Sequence, residues 1–334
     1  MRKRLGWLLC AALCTGCTAL PAEERSFAVA LGIDRDPQGQ WTAYARIPNY
    51  QTGGGYATVR GEGESLAEAL SAADVASPMQ LNLGQLRLIV CSDALAGSDA
   101  FPDALVMLSS RQETRLDASV AVTDASLQAL MDALTPSTGT RLSKSLDVMM
   151  ETRIAQGTIL PARLSDVIRM GGRQSPVLMR MSLEGKKIAL GGCWPVSVDG
   201  RITQSLTEAE TQLLSLMLGQ MRSGALSLPE GVVRLADASV ETELRLPTMD
   251  GASVRLSLRC PDAAQPDDAI ERRVAAACLA LLNRLSAMGC DALGLGRQAI
   301  RHVSDMAQWQ QLDWPGRCRE LQWAVSVGVT GPTE

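Results

Sequence analysis

Few residues of this chain carry the ingredients of chemistry, and they are scattered. Its one histidine, His302, has Asp305 three positions on. Such a pair could relay a proton, but no Gly-x-Ser-x-Gly elbow accompanies it, and a lone His near an Asp reads as a helix-end residue. The run Asp34-Arg35-Asp36-Pro37-Gln38-Gly39 opens like a calcium loop, with Asp first and third and Gly sixth. Gln38 at the fifth position and Ala45 at the twelfth, where a bidentate Glu is needed, turn that reading into a tight turn. Asp291 to Gly296 contains a Gly-x-Gly without the third glycine or the leading strand of a dinucleotide site, so these glycines read as points of close backbone packing. Gly53-Gly54-Gly55 is a loop with no Lys-Ser/Thr behind it to hold phosphate. The paired acids Glu23/Glu24, Glu208/Glu210 and Asp267/Asp268 fall at helix starts or turns, where they favour the helix dipole. With one histidine and no Cys-x-x-Cys pair among the six cysteines beyond Cys17, a zinc site is not expected. These readings assign no catalytic, cofactor-binding or metal-ligating residue, and the chain is not expected to be an enzyme.

A different chemistry falls at Cys17. Arg2, Lys3 and Arg4 precede an apolar run, Leu5 to Leu13, too short to span a bilayer, and then Cys14-Thr15-Gly16-Cys17. The segment resembles the lipobox of bacterial lipoproteins, which implies a diacylglyceryl thioether on Cys17 as the mature N-terminus. Cys14 stands where such boxes usually carry Leu. An ordinary signal peptide cut after Ala19 is the alternative. Removing residues 1–16 takes away three positive charges and moves the formal net charge from −4 to about −7. That balance argues against nucleic acid as a partner and against a polybasic hold on anionic lipid. Membrane attachment then rests on the two acyl chains at Cys17, the number that stable anchoring requires.

The elements that must position everything else follow from periodicity. Only 3 % of residues are aromatic, so the cores must be aliphatic. Ser26–Ile33 and Trp41–Ile47 read as a hairpin about the Asp34–Gly39 turn. Ser65 and Glu68 form a capping box ahead of a helix carrying Leu66, Ala69, Leu70 and Ala73. Leu86–Cys91 and Ala118–Thr123 read as buried strands, with helices over about 99–109, Ser126–Leu134, Ser143–Ala155 and Arg163–Met170. A second unit starts near residue 180, with paired strands Lys187–Leu190 and Trp194–Val198. A second capping box, Thr207/Glu210, opens a helix to about Met221. Ala238–Leu246 and Ser253–Arg259 are strands, Asp267–Met288 is a long amphipathic helix, and Leu321–Thr330 alternates cleanly as a final strand. The expected fold is α+β: mixed sheets layered with helices in two or three lobes. Its divisions are a signal peptide over 1–16, a lipidated tether over 17–25, and α+β domains over 26–180 and 181–334. Cys91, Cys193, Cys260, Cys278, Cys290 and Cys318 read as buried small hydrophobes, their spacing being unlike that of a small disulfide-stapled domain. Trp309, Trp314 and Trp323 read as packing for the last strand, with an interface anchor as the alternative.

Taken in order, several motifs resemble those of the Ger(x)C family, the lipoprotein C subunits of spore nutrient germinant receptors. They are the Cys17 lipobox, Ala30-Leu31-Gly32-Ile33-Asp34, Gly61-Glu62-Gly63-Glu64-Ser65-Leu66, Gly84-Gln85-Leu86-Arg87-Leu88-Ile89-Val90 and Ser110-Arg111-Gln112-Glu113-Thr114-Arg115. In the second half they are Leu190-Gly191-Gly192 before the Thr207–Glu210 helix, Asp291-Ala292-Leu293-Gly294-Leu295-Gly296, then Trp309, Trp314 and the alternating strand to Gly331. Thr18 stands where the family often has Trp, and Gln85 where it often has His. The resemblance implies a non-catalytic, lipid-anchored subunit without cofactors, on the outer face of the spore inner membrane. Its implied partners are the A and B membrane subunits of the receptor and, through Cys17, membrane lipid. A solute-binding or scaffold lipoprotein of another membrane complex is the alternative. Only three tyrosines and two phenylalanines are present to line an aromatic solute pocket.

Overall fold

The computed structural model describes residues 24–49, 55–136, 140–169, 174–262 and 267–331. Strand β1 (Arg25–Phe27) precedes a hairpin of β2 (Ala30–Arg35) and β3 (Trp41–Pro48), then β4 (Tyr56–Gly63). Helix α1 (Leu66–Ala76) leads to β5 (Gln80–Asn82) and β6 (Leu88–Ser92). Helices α2 (Asp93–Ala96) and α3 (Ala100–Ser110) lead to β7 (Ser119–Thr123). Helices α4 (Leu127–Ala133), α5 (Leu142–Ala155) and α6 (Leu164–Ile168) precede β8 (Val177–Glu184) and β9 (Lys187–Pro195). Seven of these strands form one sheet in the order β4-β3-β2-β6-β7-β8-β9. Its central four are parallel, and β3, β4 and β9 run antiparallel to their neighbours.

Period-two alternation sends the sheet's side chains into two cores. Leu31, Ile33, Ile89, Cys91, Val120 and Val122 pack on one face beneath α1, α2, α3 and α6. Ala30, Leu88, Val90 and Ala121 pack on the other beneath α4 and α5. Because both faces are covered, the central strands are continuous apolar runs, as in Leu88-Ile89-Val90-Cys91. Gly61 and Gly63 in β4 let α1 lie directly on the strand. A Cβ at Gly61 would fall inside the backbone of Ala69 and Ala73, and one at Gly63 against Glu68.

In the second half, α7 (Glu208–Met217) is followed by a hairpin, β10 (Gly224–Leu228) and β11 (Gly231–Leu235), then β12 (Asp237–Leu244) and β13 (Gly251–Arg259). Helix α8 (Asp268–Ala287), α9 (Leu295–Ala299), a 3-10 turn over Ile300–His302, α10 (Met306–Leu312), α11 (Trp314–Arg319) and β14 (Gln322–Thr330) complete the chain. Strands β12, β13 and β14 form a three-stranded sheet, in which β13 and β14 are parallel. Val254, Leu256 and Leu258 are buried under α8, Ala252 packs with α9 and α11, and Ser253, Arg255, Ser257 and Arg259 are exposed on the other face. The architecture is α+β with several mixed sheets.

Four local expectations change. The stretch 26–33 is two strands, because β1 leaves the sheet to pair in parallel with β5. Lys187–Leu190 and Trp194–Val198 are not a hairpin. They belong mostly to the single strand β9, and Gly191-Gly192 is an irregularity within it, where Gly192 takes φ +78 beneath the Leu206 carbonyl. The border expected between residues 180 and 181 therefore falls inside β8, whose hydrogen bonds to β9 hold both sides of it in one sheet. Strand β4 and the β10–β11 hairpin are additional. Finally, the Ser65 box is half-made: Ser65 Oγ accepts from the Glu68 N–H at 3.2 Å, but the Glu68 carboxylate accepts from Glu64 rather than from Ser65. Thr207 and Glu210 make the complete reciprocal box, at 2.8 and 3.2 Å.

Candidate functional site

The densest arrangement of buried polar groups centres on Asp291, which is 3 % exposed. Its Oδ1 accepts from the Leu295 N–H at 2.8 Å. Its Oδ2 accepts from the Gly296 N–H at 2.7 Å and from the Trp314 indole N–H at 3.1 Å. The backbone of Asp291 is also used: its N–H donates to Ser175 Oγ at 2.9 Å, and its carbonyl accepts from the Ser175 N–H at 3.0 Å. One aspartate thus fastens α9, the start of α11 and the strand entering β8. Gly294 takes φ +74 between Asp291 and α9, a conformation that only glycine adopts without strain, and it sits against the Gln174 side chain. Burial pushes the Asp291 carboxyl above the ordinary range, while the bonds from Gly296, Leu295 and Trp314 pull the other way. The carboxylate is consumed in holding backbone together.

Beside this node opens a cleft of about 690 Å³, between the end of α6 and the segment carrying α9 and the 3-10 turn. Arg169, Arg297 and Arg301 line it, together with Asp166, Gln174 and Gln220. All three arginines are exposed.

The other candidate residues are brought into no common site. His302 is exposed at the end of the 3-10 turn, while Asp305 caps α10 by accepting from the Gln308 N–H at 2.9 Å. Asp34 accepts from Ser92 Oγ and from the Arg35 N–H, whereas Asp36 accepts from the Gln40 N–H at 2.8 Å, so the two carboxylates serve separate turn bonds. Glu210 reaches Arg284 of α8 as well as its own cap, and Arg284 donates to the Ser205 carbonyl at 3.0 Å. Asp267 caps α8 through the Ile270 N–H at 3.1 Å. The six cysteines are buried and unbridged. Burial pushes Cys193 and Cys278 up to about 12 and Cys290 up to about 11, which leaves the thiols inert. Trp314 is wholly buried, Trp309 stacks on it with ring centroids 6.3 Å apart, and Trp323 donates to Ser286 Oγ at 2.8 Å. Cys17, Glu23 and the glycine run 53–54 lie outside the described residues. Among the described residues, no helix is long and apolar enough to cross a membrane and no cluster of metal-ligating side chains occurs.

Sequence reasoning found the Asp291–Gly296 motif through its glycines and missed the carboxylate at its centre. The three cleft arginines were also missed. The spacing of Arg297 and Arg301 puts them one helical turn apart, but nothing in the sequence brings Arg169 to them.

The fold is a seven-stranded mixed sheet with helices on both faces, joined to a smaller helix-covered sheet. Residues 19–183 match the sequence model of the spore germination protein N-terminal domain, and this part of the chain belongs to that domain family. The matched segment ends at Leu183, within β8. The chain is similar in fold to the structure described as the crystal structure of the GerBC protein, with a TM-score of 0.57 at 13 % identity over 91 % of this chain and 97 % of that one. No curated protein matches the sequence.

Proposed function

We propose that this protein is the lipid-anchored C subunit of a spore nutrient germinant receptor, a non-catalytic part that holds the A and B membrane subunits in a competent assembly. The observation that carries the reading is the family match over residues 19–183, which begins two residues after the lipobox cysteine. A diacylglyceryl group on Cys17 would tether the chain ahead of β1 and keep the folded body against the outer face of the spore inner membrane. The roles of the acidic residues support a scaffold: Asp291, Asp305, Asp267 and Glu210 each hold backbone or cap a helix.

Deletion of the gene, scored as germination of otherwise normal spores against amino acids, sugars and nucleosides, tests the receptor role. Loss of the response to some nutrients, restored by complementation, is expected; unchanged responses to all of them would overturn it. Anchoring is tested separately, by Cys17→Ala. The variant should move from the membrane pellet to the soluble fraction, and a variant that still sediments with membranes would refute the anchor.

A further inference from the structure

We propose that the cleft beside Asp291 is a binding site for a small anionic molecule, one presenting a carboxylate or phosphate to Arg169, Arg297 and Arg301. The inference does not depend on the receptor assignment. A volume of about 690 Å³ lies within the range that small-molecule sites occupy. Three guanidinium groups face it and one carboxylate, Asp166, so its lining is cationic in a chain whose formal net charge is −4.

None of the three guanidinium groups donates to a carboxylate or carbonyl among the described residues. Arginines nearby do find partners: Arg284 pairs with Glu210 and Arg319 with Asp199. Arg297 and Arg301 stand four residues apart on consecutive helical turns, a spacing at which like charges repel. An anion between them would relieve that repulsion. The planar, forked guanidinium matches carboxylate and phosphate oxygens two at a time, which favours these groups over a monatomic ion. The amides of Gln174 and Gln220 have no side-chain partner among the described residues and supply neutral donors and acceptors at the rim.

The support behind the arginines is rigid. Asp291 holds the Leu295 and Gly296 N–H groups through its carboxylate and Ser175 through its backbone, so the start of α9 and the entry to β8 are fastened to one buried residue. Flexible side chains on a fixed frame can close on a ligand without moving the backbone, which lowers the cost of binding.

The anionic group could belong to a dissolved solute or to a lipid headgroup, and the test separates these sources. The purified full chain would be titrated calorimetrically with citrate and with inorganic phosphate at low ionic strength. In a second arm, the Cys17→Ala chain, which carries no acyl anchor, would be mixed with phosphatidylglycerol vesicles and with phosphatidylcholine vesicles. We expect saturable binding of a dissolved anion that weakens as salt is added. The Arg297→Gln/Arg301→Gln variant should bind at least about tenfold more weakly, while Arg272→Gln, on the exposed face of α8, should bind as the parent does. Equal melting temperatures would establish that the variants are folded. Binding to phosphatidylglycerol vesicles alone, lost in the double variant, would uphold the site and name a headgroup as its source. Binding of any probe at parental strength by the double variant would overturn the proposal. So would the absence of saturable binding of every probe below about 10 mM.

Discussion

At the scale of single residues, the polar groups of this protein act mostly on its own backbone. Asp291 shows the energetics most clearly. Removing its carboxylate leaves two backbone N–H groups and an indole N–H buried without acceptors, each worth about 1–3 kcal/mol of desolvation. Asp291→Ala is therefore expected to lose about 3 kcal/mol or more in urea unfolding, and a change under 1 kcal/mol would contradict the role. The carboxyl also sets a pH dependence. Its folded pKa is raised, mainly by burial, so the native state binds this proton more tightly than the unfolded chain does. Its contribution to stability is full below the unfolded value of about 3.9 and is lost as pH rises through the higher folded value. Relative to Asp291→Asn, the parent should lose stability across that window; parallel stability–pH curves for the two would exclude it. Trp314, which donates to the same carboxylate and is wholly buried, should cost about 3–5 kcal/mol when truncated to Ala, with a smaller loss at half-buried Trp309.

At the scale of elements, glycines decide where helices can sit. Gly61→Ala drives a methyl group into the backbone of α1 at Ala69 and Ala73, and neither backbone can yield without moving the helix off β4. The expected loss is at least about 1–3 kcal/mol. Gly328 in β14 is the control: a Cβ there meets nothing within 4 Å, and its backbone is ordinary strand. Gly328→Ala should be neutral or stabilising by up to about 1 kcal/mol, since alanine loses less chain entropy on folding. A thermal melt of the two variants side by side checks both signs. Caps act at the same scale. Thr207→Ala breaks the complete box at the start of α7 and should cost about 1 kcal/mol in the same assay.

Across the whole molecule, the two sheets share one apolar continuum. Val177 of β8 and Cys193 of β9 pack in the same cluster as α7, α8 and the inner face of β13. Arg284 of α8 then ties that helix to the cap of α7. The six thiols are distributed through these cores, all of them buried. Burial raises the pKa of each, so at pH 8 almost no thiolate is present and access requires opening of the fold. A disulfide reagent should label these six cysteines only at the rate of unfolding in native buffer and at once in denaturant; fast native labelling of any one would contradict its burial.

Much was legible from the sequence alone because its signals are local. The apolar run at Leu88–Cys91, the alternation along Trp323 to Val329, the caps at Ser65 and Thr207, and the Asp34–Gly39 turn all depend on neighbours a few residues apart, and period and capping chemistry act at that range. What the tertiary structure decided involves partners far apart in the chain. The sheet order that joins β8 and β9 to β7, the departure of β1 to pair with β5, and the union of Asp291 with Ser175 and Trp314 each close loops of many residues. Long-range closure depends on how whole faces pack, and no local pattern encodes it. The cleft follows the same rule: Arg297 and Arg301 neighbour each other by helical spacing, but only the fold carries Arg169 to the opposite wall.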